Sequence, residues 1–278
     1  MRAVRLGTTP ARLRKEEVAM PEGPADAHPK TPRSTIAAVD SYLADGFDGV
    51  PGMSSKFATA ISAYLLARQT KLGIAGHVAE IGTFEGRFLI AMALALTGGE
   101  TALAVDTFAW PDAGILDRFR DNCRRSGVDR RILVHQGSSL DLTAGRIDAI
   151  LRGPVRLWHV DGEHARAVLK HDLDLAHATL AADGLIVVDD MLHPEYPLLV
   201  VALHEWLQAH PDMRVLCILD REDIVSAAKF VLCAAAAVPR YEDDLMAAFK
   251  PFHYTLGSEW EDYWCVVLTP RPRIAAIA

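Results

Sequence analysis

The chain predicts an α/β fold, a mostly parallel sheet with helices on both faces, and three observations carry that prediction. Short apolar runs alternate with segments of helical length from residue 77 to residue 190. A glycine-bearing turn, Gly82 to Gly86, joins the first run to the helix that follows it. Two later runs end in carboxylates, at Asp161 and at Asp189-Asp190, with an amphipathic helical segment between them. Strands alternating with helices of this length form right-handed crossover units. Such sheets bind ligands outside the carboxyl ends of their strands, where these acids would converge.

The elements follow in order. Residues 1–33 read as a flexible basic arm with seven Lys or Arg against four Asp or Glu, a local +3 that leaves −10 of the total −7 for the remainder. No apolar stretch follows its basic residues, so it does not read as a secretory signal. Residues 34–72 hold two helical patterns, Ser34 to Ala44 and Ser54 to Lys71, the second capped by Ser54 or Ser55. The core, 73–240, begins with a strand at His77–Ile81, a helix at Arg87–Leu96 and a strand at Thr101–Val105. A helix from Gly114 to Ser126, a strand from Ile132 to His135 and a helix from Leu140 to Leu151 follow. Then come a strand at Val155–Val160, a helix at His164–Leu180, a strand at Leu185–Val188 and a helix at Leu198–Ala209. The runs Arg214–Leu219 and Lys229–Cys233 have no long helix between them and predict an antiparallel pair. In the extension 241–278, Leu245–Phe249 predicts a short helix and Tyr263–Leu268 an added edge strand.

Bulk properties narrow the function. Half of the 278 residues are hydrophobic and the net charge is −7, enough for a sizeable core and no basis for a nucleic-acid partner. No apolar run approaches a bilayer span. Cys123, Cys217, Cys233 and Cys265 lie far apart without a CxxC pair, as reduced thiols of a cytoplasmic protein would.

The turn VAEIGTFEGRF places Gly82 and Gly86 where a strand feeds a helix, so that backbone can approach a ligand closely. It is GxxxG, and Phe84 stands where a dinucleotide fingerprint needs its middle glycine to admit a pyrophosphate. A nucleoside ligand without phosphates fits better. About twenty residues on, Asp106 ends the second strand at the position of a ribose-binding acid. Gly137, Ser138 and Ser139 end the third strand, small enough to contact an adenine edge. Each also has a structural alternative, as turn former, loop cap or N-cap.

Taken together, EIGTFEG (Glu80 to Gly86), DGEH (Asp161 to His164) and ADGLIVVDD (Ala182 to Asp190) resemble the class I S-adenosylmethionine (SAM)-dependent methyltransferases, over roughly residues 55 to 235. The resemblance implies a Rossmann-like, seven-stranded sheet with the donor over the first three strand ends. It implies that Glu80, Gly82, Thr83, Phe84 and Gly86 border the methionine end of SAM, Asp106 the ribose, and Gly137, Ser138 and Ser139 the adenine. Asp161 would lie near the transferred methyl. Ala182-Asp183-Gly184 and Tyr196-Pro197-Leu198 depart from the family's usual glycine pairs and tyrosine-proline-glycine run, the latter in the wall over the substrate.

The expected activity is methyl transfer from SAM to a small-molecule acceptor, at oxygen. Asp161, Asp189 and Asp190 would present hard oxygen ligands to Mg²⁺, with helix and turn capping as the alternative for each. His164 and His193 are the base candidates beside these carboxylates, with donation to Asp161 as a structural group within the DGEH turn as the alternative for His164 and a solvent-facing loop position for His193. His171, Asp172, Trp158 and Trp206 read as structural. A homodimer is compatible with the basic arm and with the apolar stretch around Trp264 and Val267. The N-terminal helices would cover the donor site or pair subunits. Two alternatives stand beside this reading: a non-catalytic nucleoside-binding module on the same fold, and a nicotinamide-dependent oxidoreductase, which the missing glycine opposes.

Overall fold

The computed structural model describes residues 31–270, so the expectations for the basic arm up to residue 30 and for the last eight residues lie outside the described residues. Helices α1 (Ala37–Ser41) and α2 (Lys56–Lys71) precede the first strand. The pattern at 34–44 predicts one helix. Instead α1 passes into a wider helical turn at Tyr42–Gly46 and a tight one at Phe47–Gly49, which bring Tyr42, Leu43 and Phe47 into the core. The cap of α2 is Ser55, whose hydroxyl accepts from the Ala58 amide at 3.1 Å.

The alternation holds along the core. Strands β1 (His77–Ile81), β2 (Ala102–Asp106), β3 (Ile132–Gln136), β4 (Val155–Val160) and β5 (Leu180–Met191) alternate with α3 (Arg87–Leu94), α4 (Ile115–Arg125), α5 (Ala144–Leu151) and α6 (Arg166–Thr179). After α7 (Leu198–Ala209) come β6 (Met213–Leu219), β7 (Ala228–Ala234), α8 (Glu242–Ala248), β8 (His253–Trp260) and β9 (Tyr263–Leu268).

One nine-stranded sheet results, in the order β3-β2-β1-β4-β5-β7-β6-β9-β8. The first five strands are mutually parallel, and β7 inserts antiparallel between β5 and β6. The expected antiparallel pair is therefore present. The expectation of seven strands is corrected: β9 pairs parallel with β6 inside the sheet, and β8 forms the actual edge. Strand β8, HYTLGSEW, has neither alternation nor an apolar run, so its sequence reads as loop.

Each face of the sheet carries its own apolar layer. Phe57, Ile61 and Leu65 of α2 join Phe88 and Ile90 of α3 and Phe119 of α4 on one side. Ile147 of α5, Leu169 and Leu173 of α6 and Leu203 and Trp206 of α7 pack on the other. Because parallel strands are covered on both faces, β4 is buried along its whole length. Its Trp158 donates to the Thr179 hydroxyl at 3.1 Å, and Trp206 donates to Asp174 at 2.7 Å, so both tryptophans are core residues. Arg156 is fully buried in the same strand, satisfied by Glu100 at 2.7 Å and the Leu66 carbonyl at 2.9 Å. All four cysteines are buried free thiols. No described helix is long and apolar enough to cross a membrane.

Candidate active site

The carboxyl ends of β1, β2, β4 and β5 open into a cavity of about 950 Å³. Gly82 leaves β1 at φ 82°, donating its amide to Val105, while the Asp161 amide donates to Ile81. A β-carbon on Gly82 would lie 1.6 Å from the Asp161 carbonyl oxygen, so both the φ and the contact demand glycine. Gly86 has another role. It begins α3 at φ 89° beneath the Phe119 ring and is not among the residues lining the cavity.

Asp106 serves the turn and faces the cavity at once. One carboxylate oxygen accepts from the Phe84 amide at 2.8 Å, the other from the Phe108 amide at 2.7 Å. Each oxygen retains a lone pair for a further donor. Phe84, at φ 51°, projects its ring to 5.5 Å from that of Trp110. Trp110 is 67% exposed at the cavity wall, an aromatic platform that the sequence pattern did not single out. Gly137, Ser138 and Ser139 reach the cavity as expected, but the Ser138 hydroxyl also caps the following turn by accepting from Leu140. Asp172 lies buried on α6, its carboxyl raised by burial and drawn back by hydrogen bonds with Ser139 and His171.

Behind this surface lies a polar chain that crosses the sheet. Glu80 and His159 are register partners on β1 and β4, and His159 Nδ1 meets Glu80 Oε1 at 2.7 Å. The imidazole stacks on Phe88 at 4.0 Å. On its other side, His159 Nε2 is 3.1 Å from the Lys229 ammonium, which also forms a hydrogen-bonded ion pair with Asp189. Burial raises the Glu80 carboxyl against the opposing pull of His159 and Lys229. Burial also works against a charge on Asp189, but Lys229 and His159 outweigh it and hold that carboxyl well below the usual range. Neither His159 nor Lys229 was singled out in the sequence. The available signal was basic residues inside two apolar runs, Arg156 and His159 in VRLWHV and Lys229 in AKFVLCA.

A second pair faces the opening. His164 Nε2 lies 2.6 Å from Asp190 Oδ2, and its ring stacks on Tyr196 at 3.9 Å and 7°. The expected partner of His164 within DGEH was Asp161, so Asp190 replaces it. Asp190 itself sits at φ 57°, a left-handed conformation that aspartate adopts more readily than most residues, with its amide tied to Asp189 Oδ1 at 2.8 Å. His193 also lines the cavity, accepting from the Glu195 amide at 3.1 Å and stacking on Tyr196 at 4.9 Å.

The expected metal trio is divided between these two assemblies. Asp189 is committed to Lys229 and Asp190 to His164. Asp161 remains, its carboxyl pushed well above the usual range by burial and by the neighbouring Asp189 and Asp190. Among the described residues the compact potential donor groups are His159-Asp161-Asp189 and Asp161-His164-Asp190, and neither is all-oxygen. Mg²⁺ prefers oxygen ligands, and the three carboxylates expected for it do not form one such group: each group includes an imidazole, and Asp189 and Asp190 are already paired with Lys229 and His164.

The remaining wall comes from outside the sheet. Pro51, Gly52, Met53 and Ser54 border the cavity, held by Arg87, whose Nε and Nη1 each donate at 2.5 Å to the carbonyls of Val50 and Gly52. Tyr42 donates to the Arg87 carbonyl at 3.0 Å. From the loop between β6 and β7 come Ile224 and Val225, 64% and 59% exposed.

Two polar atoms fit the group that the turn is shaped to receive. Glu80 Oε2 and Thr83 Oγ1 are buried without a hydrogen-bond partner among the described residues. Both residues line the cavity beside Asp106. An acceptor, a hydroxyl and a second acid at one strand edge suit the amino, carboxylate and ribose groups of a nucleoside-linked amino acid.

The fold is that of the class I methyltransferases. Residues 79–191 match the family model described as a methyltransferase domain, a span that includes the strand ends at the cavity. The O-methyltransferase TomG from Streptomyces achromogenes, involved in tomaymycin synthesis and solved with SAM, is similar with a TM-score of 0.51 and 21% identity, over 71% of this chain and 89% of that one. An O-methyltransferase from Bacillus cereus, solved with SAH, gives 0.52 and 16% over 71% and 90%. Comparison with curated proteins gave no match.

Proposed function

We propose that this protein transfers a methyl group from SAM to a hydroxyl oxygen of a small molecule with an apolar or aromatic body, with His164 as the general base. The observation that carries the reading is the His164-Asp190 pair at the same cavity as the Gly82 turn, Glu80, Thr83 and Asp106. SAM, when bound, supplies a methyl group on a good sulfonium leaving group. Glu80 and Thr83 would hold its amino-acid end and Asp106 its ribose.

Aligning the acceptor and removing its proton are left to the chain. Asp190 fixes His164 in the tautomer with the proton on Nε2, so Nδ1 carries the lone pair that takes the hydroxyl proton. Stacking on Tyr196 holds the ring in plane. Burial of Asp161 beside two further carboxylates favours a cation at this edge, which the sulfonium is. Met53, Trp110, Ile224 and Val225 offer an apolar surface to the acceptor's body. The O-methyltransferase names of the similar structures agree with a hydroxyl acceptor.

The experiment has two stages. Calorimetric titration of S-adenosylhomocysteine is expected to give saturable binding that Asp106→Asn weakens by about tenfold or more, the loss of one charge-assisted contact. In an acceptor screen with the active compound, His164→Ala is expected to lower kcat by about 100- to 10,000-fold with donor affinity retained. Absence of binding sinks the SAM reading. Binding with no turnover on hydroxyl acceptors favours the non-catalytic nucleoside module.

A further inference from the structure

Lys229 is 1% exposed, and nothing in the donor or base assignments uses it. Its ammonium lies against His159 Nε2 at 3.1 Å and is ion-paired with Asp189 Oδ2. These are two of the three donors in the compact group His159-Asp161-Asp189. The Phe88 ring, 5.4 Å from the ammonium, covers another side of it. An ammonium only donates, so beside one, His159 accepts at Nε2 and turns its Nδ1 proton to Glu80. We infer that Lys229 is a resident cation standing where a divalent metal would otherwise sit, so that this acidic strand edge is closed to metal ions.

The chemistry of the donors supports the substitution. Four carboxylates, Glu80, Asp161, Asp189 and Asp190, meet at one strand edge, a concentration of charge that needs a cation nearby. Lys229 supplies one that cannot dissociate, because β7 carries it between β5 and β6. An ion entering at His159 and Asp189 would have to displace a buried ammonium already bonded to both. With Asp190 held by His164, the second donor group has one carboxylate already engaged. The inference concerns metal exclusion and holds independently of methyl transfer; within the proposed reaction, Lys229 is a positioning residue that neutralises Asp189 behind the acceptor.

The test is Mn²⁺ binding followed by electron paramagnetic resonance, on the full chain and without any methyl acceptor. The wild-type protein is expected to leave Mn²⁺ free at protein concentrations near 100 µM, a working range of about that order for weak sites. Lys229→Met is expected to bind one equivalent, tighter than wild type by about tenfold or more, since a buried positive charge has been removed from beside the ion. Asp161→Asn in that background should abolish the gain, and Lys229→Arg should not bind. Tight, stoichiometric binding by the wild type that Asp161→Asn or His164→Ala removes overturns the inference. Folded Lys229→Met that takes up no Mn²⁺ overturns it too. Lys229→Gln, which keeps a neutral donor to Asp189, carries the same comparison if the methionine variant does not fold. Failure of the SAM reading would appear in the S-adenosylhomocysteine titration and would leave this result untouched.

Discussion

A β-carbon on Gly82 would fall 1.6 Å from the Asp161 carbonyl oxygen, and the residue's φ of 82° disfavours any side chain, so Gly82→Ala must separate β1 from β4. The expected loss exceeds about 4 kcal/mol, the range reserved for such backbone conflicts, and denaturant unfolding would measure it. Asp161 yields a prediction of different form. Its carboxyl is raised, so the folded state binds more protons than the unfolded chain between an unfolded value of about 4 and the higher folded one. Stability is therefore full below that window and falls as pH rises through it. Asp161→Asn removes this dependence. Its melting temperature should exceed that of the wild type at pH 8, and the difference should shrink toward pH 4; a constant difference would contradict the assignment. Acids after apolar runs, such as Asp106, Asp161 and Asp190, were legible because a strand's end shows in sequence, whereas Glu80 was named only through the family resemblance. His159 and Lys229 were not, since their meaning depends on which strands become neighbours, and basic residues in two separate apolar runs do not disclose that they meet.

Elements were legible where one period ran cleanly. Strands β1 and β4 and helix α7 match the sequence reading residue for residue, because each is bounded by turn formers and has a single continuous pattern. Strand β5 is longer than its apolar run, beginning at Leu180, because Asp183 turns through φ 59° without leaving the sheet and is gripped by Arg240 and Tyr241. Most of the segment at 50–54 lies between the two helical patterns read from the sequence, and Arg87 holds it at the cavity wall. Arg87→Met should release it. Amides of residues 50–54 are expected to exchange with solvent about tenfold or more faster while strand amides keep their protection, as for a locally opening unit. Unchanged exchange would mean that packing of Phe47 and Val50, rather than Arg87, holds the wall.

For the whole molecule, the sheet continues two strands past the seven that the resemblance implies. Cys265, Val266 and Leu268 of β9 are buried, and β9 covers the edge of β6 through Cys217, Ile218 and Leu219. Removal of residues 250–278 would expose that apolar edge, so the shortened protein is expected to aggregate or to lose a cooperative unfolding transition. A shortened protein that stays monomeric and melts normally would show β8 and β9 to be an appendage. The Arg87 clamp carries a further consequence, for synthesis on the ribosome. The carbonyls it holds belong to residues 37 and 35 positions earlier in the chain. The wall therefore emerges from the exit tunnel well before its anchor and has to wait, undocked, for β1 and α3 to form behind it. The last parts of the cavity wall, β5 and the loop residues Ile224, Val225 and Ala227, follow much later, yet still precede β8 and β9. A nascent chain could thus possess its whole cavity while the far side of its sheet was still being translated.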